Sequence, residues 1–121
     1  MAKIVIVDDE PVFRRLLCAK LTAVGHSVFE APNGKLGERV VLAEKPDLVL
    51  LDVWMPEQDG IATIVNLRKH APDVKIIVMS GQPAGAGLRL FEIAGTLGAS
   101  ATLAKPFSPD SLIKAIDDAL A

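Results

Sequence analysis

Apolar runs in this chain stop abruptly at polar residues. Lys3-Ile4-Val5-Ile6-Val7 ends at Asp8 and Asp9, and Leu48-Val49-Leu50-Leu51 ends at Asp52. Lys75-Ile76-Ile77-Val78-Met79 ends at Ser80, and Ala101-Thr102-Leu103-Ala104 ends at Lys105. Apolar runs of this length, bounded by turn residues, predict buried strands of a parallel sheet. With Ser27–Ala31 they make five predicted strands: Lys3–Val7, Ser27–Ala31, Leu48–Leu51, Lys75–Met79 and Ala101–Ala104. Between the strands the apolar period changes to that of a helix. Phe13, Leu17, Leu21 and Val24 recur over Pro11–Val24, where Pro11 suits a first turn and Gly25 supplies a stop. Leu36, Val40 and Ala43 share one face of a helix over about Lys35–Glu44, and Ile64, Val65 and Leu67 mark one over about Ile61–His70. A fourth helix is predicted over about Leu88–Leu97. A fifth covers Pro109–Leu120, with Leu112, Ile113, Ile116 and Leu120 inward and Ser108 as its cap.

Strict alternation of strand and helix predicts an α/β domain: a doubly wound, five-stranded parallel sheet with five helices on its two faces. The pattern contains no linker or repeat, so residues 1–121 read as one unit. Gly81-Gln82-Pro83-Ala84-Gly85-Ala86-Gly87 breaks the rhythm, and its glycines and proline predict a long mobile loop. In parallel α/β sheets ligands bind beyond the carboxyl ends of the strands. The polar residues that end separate strands are therefore expected to meet in one crevice.

Composition narrows the class without changing it. Half of the 121 residues are hydrophobic, enough for a core without disulfides, and Cys18 is the only cysteine. It reads as a small apolar residue of the first helix. A formal net charge of −2 gives no basic patch for nucleic acid. No apolar stretch approaches the roughly 18 residues of a membrane span, and no secretory signal opens the chain. A cytoplasmic protein is the default expectation. His26 and His70 read as surface or helix-end residues, and Arg14-Arg15 as a solvated face of the first helix.

The expected crevice has a definite chemistry. Asp8, Asp9 and Asp52 would bring three carboxylates together, which repel unless protons or a cation neutralise them. Oxygen-only ligands select a hard cation, and Mg2+ suits a site of few carboxylates that keeps its waters. Lys105 can balance an anion as a point charge, and the Ser80 hydroxyl can donate to a phosphoryl oxygen. Taken singly, each of these residues reads equally as a turn, cap or surface residue. Together they supply a carboxylate nucleophile, a cation site, a lysine and a hydroxyl, the parts needed to accept and lose a phosphoryl group.

Four segments in order now carry a resemblance. Val7-Asp8-Asp9-Glu10, Leu51-Asp52-Val53-Trp54-Met55-Pro56-Glu57-Gln58-Asp59-Gly60, Met79-Ser80-Gly81 and Lys105-Pro106-Phe107 resemble the motifs of response-regulator receiver domains, the phospho-acceptor modules of two-component signalling. The resemblance spans essentially the whole chain, and the ordered set is far more specific than any one motif. It implies a flavodoxin-like fold with strand order 2-1-3-4-5. It implies Asp52 as the phosphorylated aspartate, with Ser80 following the phosphoryl group and Lys105 pairing with its oxygens. It implies Mg2+ held by Asp9 directly, by Asp8 through water, by Asp52 and by the backbone carbonyl of Trp54. The Lys105–Pro106 peptide is cis in that family, with Phe107 packed behind it.

The partners implied are a sensor histidine kinase or phosphotransfer protein as donor, and an output partner or output domain that reads the switch. The first helix is a common kinase-docking surface in that family, which gives Arg14-Arg15 a second reading. Such a module is not a turnover enzyme beyond its own phosphotransfer and autodephosphorylation. No direct nucleic acid or membrane contact is implied, and many members dimerise only when phosphorylated, through the fourth-helix to fifth-helix face. Whether the chain stands alone or is the amino-terminal part of a longer protein stays open.

The chain departs from the family in three places. Thr102 stands where an aromatic is usual, three positions before Lys105, so a swinging ring cannot be its output signal. The interval from Ser80 to Lys105 is longer than usual, with the excess expected in the glycine-rich segment. Trp54, two positions after Asp52, reads either as an indole that shields the phosphoryl group from water or as an exposed or partner-facing aromatic. Rival readings fit less well. A haloacid-dehalogenase-type hydrolase wants an aspartate where Trp54 stands, and a flavin carrier would not place Asp-Asp-Glu at its phosphate loop. A receiver used as an unphosphorylated interaction module is the alternative that leaves the motifs unexplained.

Overall fold

The computed structural model describes residues 1–55, 58–81 and 86–121, and no side chain within 54–59 or 86–88. The main sheet is built from β1 (Lys3–Val7), β2 (Ser27–Ala31), β3 (Leu48–Asp52), β6 (Lys75–Ser80) and β7 (Ala101–Ala104). All its pairs are parallel, in the order β2-β1-β3-β6-β7, which is 2-1-3-4-5 within this sheet. A separate two-residue ladder pairs β4 (Trp54–Met55) with β5 (Gln58–Asp59). The helices are α1 (Pro11–Ala23), α2 (Gly34–Glu44), α3 (Gly60–His70), α4 (Ala86–Thr96) and α5 (Pro109–Leu120).

Strand side chains alternate between two cores, as the pleat requires. Val5, Val7, Val49, Leu51, Ile76 and Val78 face α2, α3 and α4 through Val41, Ile64, Leu67 and Ala94. Ile4, Ile6, Leu48, Leu50, Ile77 and Met79 face α1 and α5 through Leu17, Leu21, Leu112 and Ile116. Burial on both faces is why β1, β3 and β6 read as continuous apolar runs. Edge strand β7 is only half-covered, and Thr102 points outward from it.

The expected faces of two helices need correction. In α2 the buried residues are Gly34, Gly37 and Val41, while Leu36 and Ala43 are exposed and Val40 is half-buried. The reason is backbone proximity: a Cβ on Gly37 would lie 2.6 Å from Cγ2 of Val7. The helix packs through Gly37 and Val41, a face shifted from the expected one, and this leaves Leu36 and Ala43 outward. In α3, Ile64 and Leu67 are buried but Val65 is exposed. Gly37→Ala should cost about 1–3 kcal/mol in urea denaturation, because the overpacked partner is a central strand residue that cannot yield. Adding Val7→Ala should recover part of it, and a Gly37→Ala variant as stable as the native chain would contradict this packing.

Other expectations resolve simply. Ser108 caps α5, its Oγ accepting from the N–H of Ser111 at 3.1 Å. Asn33 caps α2 in the same way, accepting from the N–H of Leu36 at 2.9 Å. Cys18 packs half-buried beside Leu17 and Leu21. His70 ends α3 at the surface, whereas His26 is half-buried and its Nδ1 accepts the N–H of Ala2 at 3.1 Å. The expected loop through Gly87 is shorter, because α4 already starts at Ala86; residues 82–85 lie outside the described ones. Among the described residues no helix is long and apolar enough to cross a membrane.

Candidate phospho-acceptor site

The carboxyl ends of β1, β3, β6 and β7 carry Asp8, Asp52, Ser80 and Lys105 into one region. Two strands run one residue further than their apolar patterns, so Asp52 and Ser80 are the last residues of β3 and β6. Both are buried, at 2% and 0% exposure, and Asp8 is at 0%. Asp52 pairs in register with Met79, one position before Ser80. The N–H of Val53 donates to the Met79 carbonyl at 3.0 Å, and that of Lys105 to the Ser80 carbonyl at 2.8 Å. These bonds tie the loop tops to the sheet. Just beyond Asp52 the chain turns closely: a Cβ on Gly60 would lie 2.5 Å from the Cα of Val53. Glycine there lets the start of α3 rest on the backbone next to Asp52.

Lys105 is the hub. Its Nζ donates to Asp8 Oδ2 at 2.8 Å, Asp52 Oδ2 at 3.1 Å and Glu10 Oε1 at 3.2 Å. The other oxygen of Asp8 accepts the Glu10 N–H at 2.8 Å. One side-chain oxygen from each of Asp8, Asp9, Glu10 and Asp52 lies within 4.8 Å of the others. Burial alone would push the Lys105 ammonium below its ordinary value. The hydrogen bond to Asp8 and the charges of Asp52 and Asp8 outweigh burial and raise it instead. The Lys105–Pro106 peptide is cis.

This arrangement brings together Asp8, Asp9, Asp52 and Lys105 and sets Ser80 on the adjoining strand end. Trp54 continues the chain past Val53 in β4, but its side chain lies outside the described residues, as does its expected shielding role.

The order of strands, the buried acidic pair and the lysine between its members coincide with a family pattern over most of the chain: the model of the response regulator receiver domain matches residues 4–117. The chain belongs to the response regulator receiver domain family. A relative is the transcriptional regulatory protein GlrR of Escherichia coli K12, 38% identical over 120 residues, which are 98% of this chain and 26% of that protein. The receiver thus spans about a quarter of GlrR's length. Sporulation initiation phosphotransferase F of Bacillus subtilis strain 168 is 35% identical over 114 residues, covering 94% of this chain and 90% of that one. A CheY-like receiver domain protein from Methanospirillum hungatei JF-1 superposes with a TM-score of 0.91 at 27% identity, covering 99% of this chain and 94% of that chain.

Receiver domains bind Mg2+ at an acidic pocket, and this receiver offers a fitting one. The donors are all oxygen, two of the carboxylates are buried, and the single ammonium of Lys105 leaves an excess of negative charge among four carboxylates. A hard divalent cation relieves that excess.

Three residues at the receiver's site had no place there in the sequence reading. Glu10 joins the acidic cluster and contacts Lys105 from a 63% exposed position. Arg14 is not a solvated face, and this corrects the expectation: it is half-buried, its Nη1 donates to the Asp8 carbonyl at 2.7 Å, and its Nε pairs with Glu30 at 3.1 Å. It pins the end of β1 to α1. Arg15 alone is exposed. Phe13, expected only as core, faces the Lys105 ammonium. The motif neighbourhood of Glu10 could have signalled its part; no period or spacing distinguishes the other two.

Proposed function

We propose that this receiver accepts a phosphoryl group on Asp52, with Mg2+ bound, from a phosphohistidine on a sensor histidine kinase or phosphotransfer protein, and that the modified form changes partner binding. The observation that carries the reading is Asp52 itself. It is a carboxylate at 2% exposure, held by Lys105 at 3.1 Å beside Asp8 and Asp9. That is a nucleophile with its counter-charge already in place.

The chemistry balances without further reagents. The donor enters as a phosphohistidine whose second ring nitrogen carries a proton. A carboxylate oxygen of Asp52 forms the new bond to phosphorus in line as the phosphorus–nitrogen bond breaks, and the electron pair goes to that nitrogen, so the histidine leaves as neutral imidazole. Lys105 moves its hydrogen bonds toward the phosphoryl oxygens as they approach Asp52. Asp8, Asp9, Asp52 and the carbonyl of Trp54 would hold the cation, which when bound supplies positive charge against those same oxygens. Hydrolysis reverses the load: a water oxygen bonds to phosphorus, the bond to Asp52 breaks, and the carboxylate returns as inorganic phosphate leaves. The unit spans residues 1–121, works as a switch with its own phosphotransfer chemistry, and sits in the cytoplasm with its donor.

Switching follows from charge. A phosphoryl group adds about −1.5 to −2 charges at this nearly buried site. In this reading the Ser80 hydroxyl donates to the group, and the backbone N–H of Lys105, which donates to the Ser80 carbonyl, couples the two strand ends. Movement of both biases the α4-β7-α5 face between two binding states. Thr102 is exposed there, so the readout is loop position rather than a ring swing. An output partner or output domain recognises that face, and a phosphorylation-dependent homodimer is one form of it.

Incubation with Mg2+ and a small phosphodonor, followed by intact mass, tests the cation's part. One phosphoryl group should be gained, and chelation of Mg2+ should slow uptake at least about tenfold. Uptake at the same rate in chelator would remove the cation from the account.

A further inference from the structure

The three protons of the Lys105 ammonium point at three carboxylates whose consequences differ. Asp8 is buried, Asp52 is the acceptor, and Glu10 stands at the exposed mouth. Lysine is a flexible four-carbon chain ending in a strongly hydrated charge. Left to itself, such a group drifts toward the exposed carboxylate and water. Its side chain is nonetheless only 9% exposed.

One neighbour of its charged head is an aromatic ring. Nζ of Lys105 lies over the ring of Phe13, 4.4 Å from the centroid. Phe13 sits in the first turn of α1, directly after the acidic motif. Its ring is fixed in turn by Phe107, with centroids 5.7 Å apart and planes at 81°, the edge-to-face arrangement aromatic pairs prefer. A ring face attracts an ammonium where an aliphatic side chain of similar volume only fills space, and the attraction grows as water is excluded. Phe13 therefore does two things at once. It adds an apolar contact at the ammonium besides the three carboxylates, and its ring face favours the charged head where Asp8 and Asp52 are.

We infer that Phe13 is a positioning residue for phosphoryl transfer: its ring face, oriented by Phe107, holds the Lys105 ammonium at the Asp8–Asp52 pair, ready for the incoming phosphoryl oxygens. The inference rests on the reading of Asp52 as acceptor and adds a residue that acts through Lys105.

A double-mutant cycle separates this role from packing. Initial rates of uptake at Asp52 are measured by intact mass, with Mg2+ and a small phosphodonor, for the native chain, Phe13→Leu and Phe13→Tyr, each with Lys105 present and with Lys105→Met. Phe13→Leu should slow uptake about five- to thirty-fold when Lys105 is present and should change nothing in the Lys105→Met background. Phe13→Tyr, which keeps the ring face, should stay within about twofold of the native rate. In parallel, the ε-methylene protons of Lys105 should show an upfield ring-current shift by NMR in the native and Tyr chains and lose it in the Leu chain.

Equal slowing in both backgrounds, a Leu variant as fast as the native chain, or an unshifted Lys105 resonance in the native chain each overturn the inference. A native chain that takes up no phosphoryl group overturns the acceptor reading and this inference together. A Leu variant matching an active native chain overturns this one alone.

Discussion

Asp52→Asn should fold as the native chain does and gain no phosphoryl group, with uptake falling by more than about 10³-fold. The amide is nearly isosteric with the carboxylate and keeps an oxygen to accept from Lys105, so the loss is chemical rather than structural. It removes the proposed nucleophile and one negative charge from a cluster of four carboxylates. Asp52 and Asp8 are buried neighbours of the same sign joined through one ammonium. The variant should therefore unfold at or above the native midpoint in the absence of Mg2+, while binding Mg2+ more weakly. The checks are intact mass with a small phosphodonor and thermal unfolding with and without Mg2+. Phosphoryl uptake by Asp52→Asn at a native rate would place the acceptor elsewhere.

Lys105→Met should act on both stability and rate. It leaves Asp8 and Asp52 buried without their shared counter-charge, a change that costs about 3 kcal/mol when one partner of a buried pair is removed. Added Mg2+ should restore more stability to this variant than to the native chain, because the cation can replace the missing charge. Uptake from a small phosphodonor should slow about 10²-fold, the usual scale for losing one preorganised positive donor.

The variant also carries a pH signature. Lys105 has a folded value raised above 10.5, the value it takes when unfolded. Its pairing contributes stability that is fully present below the unfolded value and is lost as pH rises through the higher folded one. The native chain should lose stability across that alkaline window, and Lys105→Met should show a flatter limb there in denaturation at a series of pH values. A Lys105→Met chain as stable and as fast as the native one would dissolve the ion cluster at the centre of the site.

Much of this was legible in the chain, and the reason is geometric. Strands buried on both faces must be apolar throughout, so β1, β3 and β6 announce themselves, and the first polar residue after each marks the carboxyl edge of the sheet. That is why Asp8, Asp52 and Ser80 are legible as neighbours in one crevice from the sequence, and Lys105 follows them because it ends the remaining apolar run of the same rhythm. What stayed hidden depends on contacts rather than on pattern. The inner face of α2 includes Gly34 and Gly37, residues with no side chain for a periodicity to register. Arg14 reads as surface charge because its partners are the backbone carbonyl of Asp8 and a glutamate on a separate strand, which no local pattern reveals. Phe13 fits the apolar period of α1 whether its ring meets a leucine or an ammonium.

The most direct measurement locates the phosphoryl group on the native chain. The chain is treated with Mg2+ and a small phosphodonor, the acyl phosphate is trapped by borohydride, and the fragments are sequenced by mass spectrometry. A single modified position at Asp52 is the predicted result. A phosphoryl group found at another residue, or none gained under conditions where Mg2+ is bound, would contradict the account.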